Sequence, residues 1–207
     1  MAYEQLSLEA DLMSLLRAEK SARNALQPLE RAALAIASTE ACKVAVGLQA
    51  SRLLGAVQAS SALIGLLAAA SGARWQALSL LTISDLRRGR RLRLTPCKGG
   101  RSVEIDIRWF TDNLWIPRNQ LDIPLARLPY ERYAEDTQRA ARDLGISVPP
   151  PAKQGMHLWR YLRVAYLLDS GYTTEQIQEA LGHRNVASTA WYTSRVGELT
   201  TPPPAKE

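Results

Sequence analysis

MHLWRYLRVAYLLDSGYTTEQIQEALGHRNVASTAWYTS, residues 156–194, decides how this chain is read. Apolar residues at Leu158, Leu162, Ala165, Tyr166 and Leu168 recur at helical spacing up to Gly171, a residue suited to stop a helix. Thr173 and Gln176 have the spacing of a capping box, which predicts a second helix running to Leu181 and ended by Gly182. Ser188 stands where it can cap a third, short helix carrying Tyr192. Both histidines of the chain lie here, His157 and His183. Arg160 follows His157 by three positions, which puts the two on one helix face. His183 follows Arg160 by twenty-three positions, and Tyr192 follows His183 by nine.

Upstream of this stretch, three prolines between Val148 and Pro151 exclude helix and predict an extended entry. Tyr130 to Leu144 reads as a helix closed by Gly145. Residues 108–129, with Trp109, Trp115, Pro117, Pro124 and Pro129, read as an irregular packed connection. Arg91 to Thr95 and Val103 to Ile107 each alternate polar and apolar residues around the turn Lys98-Gly99-Gly100, the pattern of a hairpin. Asp85 and Gly89 frame the turn before it, and Trp75 to Leu81 form a short helix. Ala56 to Ala70 is almost wholly apolar and is expected inside the domain. Residues 3–24 carry an apolar stripe (Leu6, Leu8, Leu12, Leu15, Leu16), and Pro28 is expected to open a separate helix over 29–53. The expected fold is mainly α with a small antiparallel β-sheet. It divides into an N-terminal helical segment, 1–55, a main domain, 56–196, and a disordered proline-rich tail, 197–207.

Composition narrows the function. The 207 residues include 26 Lys and Arg against 20 Asp and Glu, a net charge of +6 that suits a polyanionic partner. Cys42 and Cys97 are the only cysteines, too few and too far apart for a disulfide framework or a zinc site, so two reduced thiols are expected and no metal. No secretory signal is evident, and the longest apolar run, Ala62 to Ala70, falls well short of the ~20 residues that span a bilayer. A cytoplasmic or nucleoid location follows, or a nuclear one in a eukaryotic host, with no membrane partner. Arg87, Arg88, Arg90 and Arg91 form a basic run at the hairpin's edge. Such runs are often plain solvated surface; beside a hairpin they are candidates for phosphate contacts, which position DNA without reading its sequence.

Taken together, His157-Leu158-Trp159-Arg160, Leu181-Gly182-His183 and Tyr192-Thr193 resemble the C-terminal signature of the tyrosine recombinases, the phage-integrase type of DNA breaking-and-joining enzyme. Two upstream features extend the resemblance. Gly72-Ala73-Arg74 follows the apolar helix, as the family's Gly-x-Arg does, and Lys98 falls in the hairpin turn where the family places a lysine. The resemblance covers residues 60–195. A lone arginine after a helix, a lysine in a turn or a histidine on an apolar face is ordinarily structural; order and spacing together lift these six above that reading.

The resemblance implies a site-specific recombinase whose active site is Arg74, Lys98, His157, Arg160, His183 and Tyr192. Arg74 and Arg160 would hold the non-bridging oxygens of a DNA phosphate. Tyr192 would attack phosphorus and form a 3′-phosphotyrosyl link, with His157 as its base, because a phenol of pKa ~10 is a weak nucleophile at neutral pH. Lys98 would protonate the departing 5′-oxygen and His183 would donate to a phosphate oxygen. The covalent link conserves bond energy, so no cofactor is expected. The partners implied are double-stranded DNA and further copies of the chain, assembled on DNA as a tetramer. Two positions depart from the family pattern: Ala77 stands where an acid is usual, and Tyr161 where a second histidine is common. These favour an alternative in which the fold binds DNA without cutting it. A nicking-closing enzyme of the type IB topoisomerase kind is another, since only fifteen residues follow Tyr192 to reach a neighbour.

Overall fold

The computed structural model describes residues 2–87, 91–96, 100–112, 116, 121–146 and 155–196, with the backbone alone for 2–10. Its first helix, α1 (Ala2–Ala35), runs straight through Pro28. Proline inside a helix costs about 3 kcal/mol. Leu26 and Leu29 are completely buried beside it, with Ala25 and Ala33 on the same face, and burial of each leucine is worth roughly 2 kcal/mol. Packing therefore outweighs the local break, and the expected helix boundary at Pro28 does not exist. Leu12, Met13, Leu15 and Leu16, farther up α1, are exposed.

The expected helix over 29–53 is divided instead by later breaks. A 3-10 turn (Ile36–Ser38) leads to α2 (Glu40–Val46), whose cap is Thr39, its side chain accepting from the amide of Cys42. The chain turns at Gly47 into α3 (Leu48–Ala56). Cys42 is fully buried, and burial pushes its thiol up to about 11, out of the nucleophilic range.

The all-apolar stretch forms α4 (Ala59–Ser71), and every residue from Ser61 to Ser71 is buried. Gly72 ends it, and α5 (Trp75–Leu78) and α6 (Ile83–Arg87) follow. Strands β1 (Arg91–Leu94) and β2 (Val103–Asp106) pair antiparallel, with Leu92 opposite Ile105 and Arg93 opposite Glu104. Leu92 and Leu94 are buried; Arg91, Arg93, Glu104 and Asp106 face outward.

After α7 (Arg108–Thr111) the described part of the connection is irregular as expected, but residues 121–125 within it are hydrogen-bonded through their backbone. Residues 121–125 run antiparallel to 81–84: the Ile83 amide donates to Ile123, Ser84 to Leu121, and Leu125 to Leu81, at 2.8–3.0 Å. The ion pair of Arg127 with buried Glu30 then ties this segment to α1. Helices α8 (Tyr130–Asp143), α9 (Gly155–Asp169), α10 (Thr174–Ala180) and α11 (Val186–Thr193) follow among the described residues. One continuous apolar core runs from Ala25 to Val196, with α4 between α1 and α9. The architecture is mainly α with a small two-stranded antiparallel sheet. Among the described residues no helix is long and apolar enough to cross a membrane.

Candidate active site

Two chain turns meet at one guanidinium. Arg160 sits on the inner face of α9 and is only 2% exposed. Its Nη1 donates to the carbonyl of Gly72, its Nη2 donates to the carbonyl of Leu181 at 3.4 Å, and the same Nη2 meets Nε2 of His183. The two carbonyls belong to residues flanking tight turns, and the local sequence explains why. Gly72 has φ 63°, so it can end α4 and swing the chain back without strain, and a Cβ there would lie 2.5 Å from Leu181. Gly182 has φ 66°, and a Cβ there would lie 2.6 Å from the carbonyl oxygen of Arg101. That approach serves a bond: the Arg101 amide donates to the Gly182 carbonyl at 2.9 Å, joining the hairpin to the turn that carries His183.

The capping box of Thr173 and Gln176 is present and starts α10, whose end delivers Leu181, Gly182 and His183 to Arg160. The last helix is capped by Asn185, whose side chain accepts from the amide of Ala187, and not by Ser188 as expected. Three residues of earlier start put Ser188 inside the helix. Tyr192 then falls one turn after Thr189 on the buried face. Its ring lies nearly parallel to that of His183, 5.8 Å away and tilted by 18°, and Arg160 Cζ lies 5.4 Å from its centroid. Tyr161, completely buried, meets Tyr192 edge-on at 4.9 Å. Trp159 is core, whereas Trp191 is 38% exposed and lies beneath the Arg195 guanidinium.

Electrostatics favour neutral imidazoles beside a buried cation. Burial, then Arg160 and Arg74, hold His157 below the usual histidine range. The same causes in the same order push His183 down to about 4. Burial lowers Arg160 itself to about 10, with Tyr192 acting to raise it and Arg74 to lower it further. Among the described residues none of Arg160's hydrogen-bond partners is a carboxylate, and its Nε has no partner.

A guanidinium has donors only, so Nε2 of His183 must accept from Arg160. The imidazole proton then lies on Nδ1, 2.8 Å from the Thr189 hydroxyl. In this geometry His183 is an acceptor toward Arg160, where the sequence motif led to a donor toward phosphate.

Arg74 and Arg160 line one cleft, together with Ala77, Arg101, Gly182 and the hairpin residues Pro96 and Gly100. Ala77, where an acid was looked for, is a buried part of that wall. The structure thus brings Arg160, His183 and Tyr192 into contact. It sets Arg74 on the same cleft and His157 one turn from Arg160. Lys98 lies outside the described residues, as do Arg88 and Arg90. Arg87 and Arg91 are exposed, Arg91 lying 4.0 Å from Glu104. Sequence reasoning passed over Arg101 and Thr189. The turn signal at Gly99-Gly100 and the three-residue spacing to Tyr192 were the available cues.

No protein-family model matches the chain. A stretch of 69 residues is 38% identical to a protein of Sinorhizobium fredii (strain NBRC 101917 / NGR234) named "Putative integrase/recombinase y4gC", over 32% of this chain and 35% of that protein. Solved structures similar to it include the XerH site-specific recombinase bound to difH substrate in a pre-cleavage complex (TM-score 0.46, 17% identity, 84% of this chain and 50% of that one). Another is XerA recombinase (TM-score 0.46, 19% identity, 86% and 64%). The chain spans about a third of the curated relative it matches and half of the XerH chain. Its likeness to the Sinorhizobium protein covers part of that protein's length only.

Proposed function

We propose that this chain is a DNA strand transferase of the tyrosine recombinase type, cutting and rejoining double-stranded DNA through Tyr192. One observation carries the reading: Arg160 is a buried cation with no carboxylate partner among the described residues, in contact with a tyrosine ring and lining a cleft with a second arginine. Burying an unpaired charge costs several kcal/mol, and an anion bound at Arg160 would offset that cost. A phosphodiester fits, because it accepts paired hydrogen bonds from guanidinium and gains negative charge in its pentacoordinate transition state.

In this reading Arg74 and Arg160 hold the non-bridging oxygens. His157, neutral at pH 7 because burial and the two arginines depress it, takes the phenolic proton of Tyr192. The tyrosyl oxygen attacks phosphorus, the phosphodiester bond to the 5′-oxygen breaks, and a 3′-phosphotyrosyl link results. Lys98 supplies the proton to the 5′-oxygen. Reversal against a second 5′-hydroxyl rejoins the strand. Exposed Arg87 and Arg91, with Arg88 and Arg90, contact flanking phosphates. Further copies of the chain assemble on the DNA to pair two sites.

The test is a pool of nicked duplexes of randomised sequence, whose cleavage traps the intermediate. A covalent protein–DNA adduct in the wild type that is absent from Tyr192→Phe is the expected result. Equal binding by both proteins with no adduct in either would replace this reading with a non-cutting DNA-binding module. Plasmid relaxation with no recombinant product would replace it with a nicking-closing enzyme.

A further inference from the structure

We propose that Thr189 is a positioning residue that fixes the tautomer of His183 and, through it, the orientation of Arg160. The inference rests on the strand-transfer reading for its consequence, but its structural content stands on three side chains. Thr189 is completely buried, and its hydroxyl lies 2.8 Å from His183 Nδ1. The opposite ring nitrogen, Nε2, meets the Arg160 guanidinium. Which nitrogen of a neutral imidazole carries the proton is set by the hydrogen bond that the other makes. Arg160 can only donate, so Nε2 gives its lone pair, Nδ1 keeps the proton, and the Thr189 oxygen accepts it. With the other tautomer, Nε2–H would point at an N–H of the guanidinium.

A valine at 189 would match the shape of threonine without its oxygen. It would leave a buried Nδ1–H unpaired, which favours the other tautomer and pushes the ring off Arg160. Thr189 also lies one turn before Tyr192 on α11. The same hydrogen bond therefore anchors the imidazole to the helix of the nucleophile and keeps it parallel to the phenol ring. Arg160 is in this way held on one edge by the Gly72 carbonyl and on another by Leu181 and His183, with Nε buried and unpartnered.

The chain has two histidines only, so ¹⁵N-labelled imidazole spectra resolve both, and His157→Gln assigns them. At pH 7 and without DNA, His183 is expected in the Nδ1–H form in the wild type and in Thr189→Ser. Thr189→Val is expected to lose that form while the His157 signal stays in place. An Nε2–H form in the wild type overturns the proposal without recourse to any variant. So does a Thr189→Val protein that keeps the wild-type tautomer. On DNA, Thr189→Val should form the Tyr192 adduct at least about tenfold more slowly with unchanged binding, as loss of an orienting partner does for metal-bound histidines, and Thr189→Ser should restore the rate. The tautomer is read without substrate. A protein with the Nδ1–H form but no adduct loses the strand-transfer reading and keeps the Thr189 assignment; an adduct with the Nε2–H form does the reverse.

Discussion

Arg127 and Arg160 both reach other parts of the fold through their guanidinium groups, and their surroundings are opposite. Arg127 reaches from the segment after residue 125 to Glu30 on α1, with Nε at 2.7 Å and Nη2 at 3.2 Å from the two carboxylate oxygens. The hydrogen-bonded Glu30 raises the pKa of Arg127, while burial lowers that of Arg160 to about 10. Arg160 has two carbonyls, an imidazole lone pair and an idle Nε. A fork-to-fork ion pair satisfies its charge inside the fold and has little left for a ligand. A guanidinium held by neutral acceptors keeps its charge uncompensated. The first arrangement fastens an element. In the proposed function the second prepares a site.

The contrast is broken most forcefully at Arg160. Arg160→Met is expected to slow formation of the Tyr192 adduct by about a thousandfold or more, roughly 4 kcal/mol of transition-state stabilisation, while urea unfolding changes far less. Equal damage to both would make Arg160 a fastener like Arg127.

Arg127→Met should do the converse. It leaves Glu30 buried without its partner, at a cost of about 3–5 kcal/mol in urea unfolding. Replacing Glu30 by methionine as well should recover most of that loss, because the unpaired charge goes with it. Adduct formation by the folded fraction should be unaltered.

The smallest effect is one of pH. Burial and the charge of Arg160 hold folded His183 near 4, against an ordinary value of about 6.5 in the unfolded chain. Between these values the unfolded chain binds a proton that the folded chain refuses. Stability should therefore be fully present above 6.5 and fall as pH drops toward 4, by roughly 3 kcal/mol in all. His183→Gln should remove that part of the slope. In Arg160→Met the His183 titration, followed by NMR, should move upward toward the ordinary value, and no movement would mean that the cation does not act on it.

The stretch from α9 to α11 was open to reading because its signals are local. The helix stop at Gly171, the Thr173–Gln176 capping box and the positive-φ Gly182 each act within a few residues. Where the reading missed, distant packing decided. Pro28 looks like a boundary until Leu26 and Leu29 are seen buried against α4. Residues 121–125 look irregular because their partners at 81–84 are bound through the backbone, which leaves no side-chain pattern. Motif spacing led to Arg160, His183 and Tyr192 as one group. It could not give the direction of the hydrogen bond at His183, since that follows from Thr189 and from which edge of a guanidinium happens to face the ring.

The bond from the Arg101 amide to the Gly182 carbonyl has a mechanical meaning. It makes the β1–β2 hairpin a lever with its fulcrum at Gly182. Force applied at Arg101 is transmitted along the backbone, with no soft side chain between, to the residue next to His183. A load on the hairpin and the set of the imidazole therefore cannot be adjusted separately, and the glycine that permits this stitch leaves no room for a larger residue to loosen it.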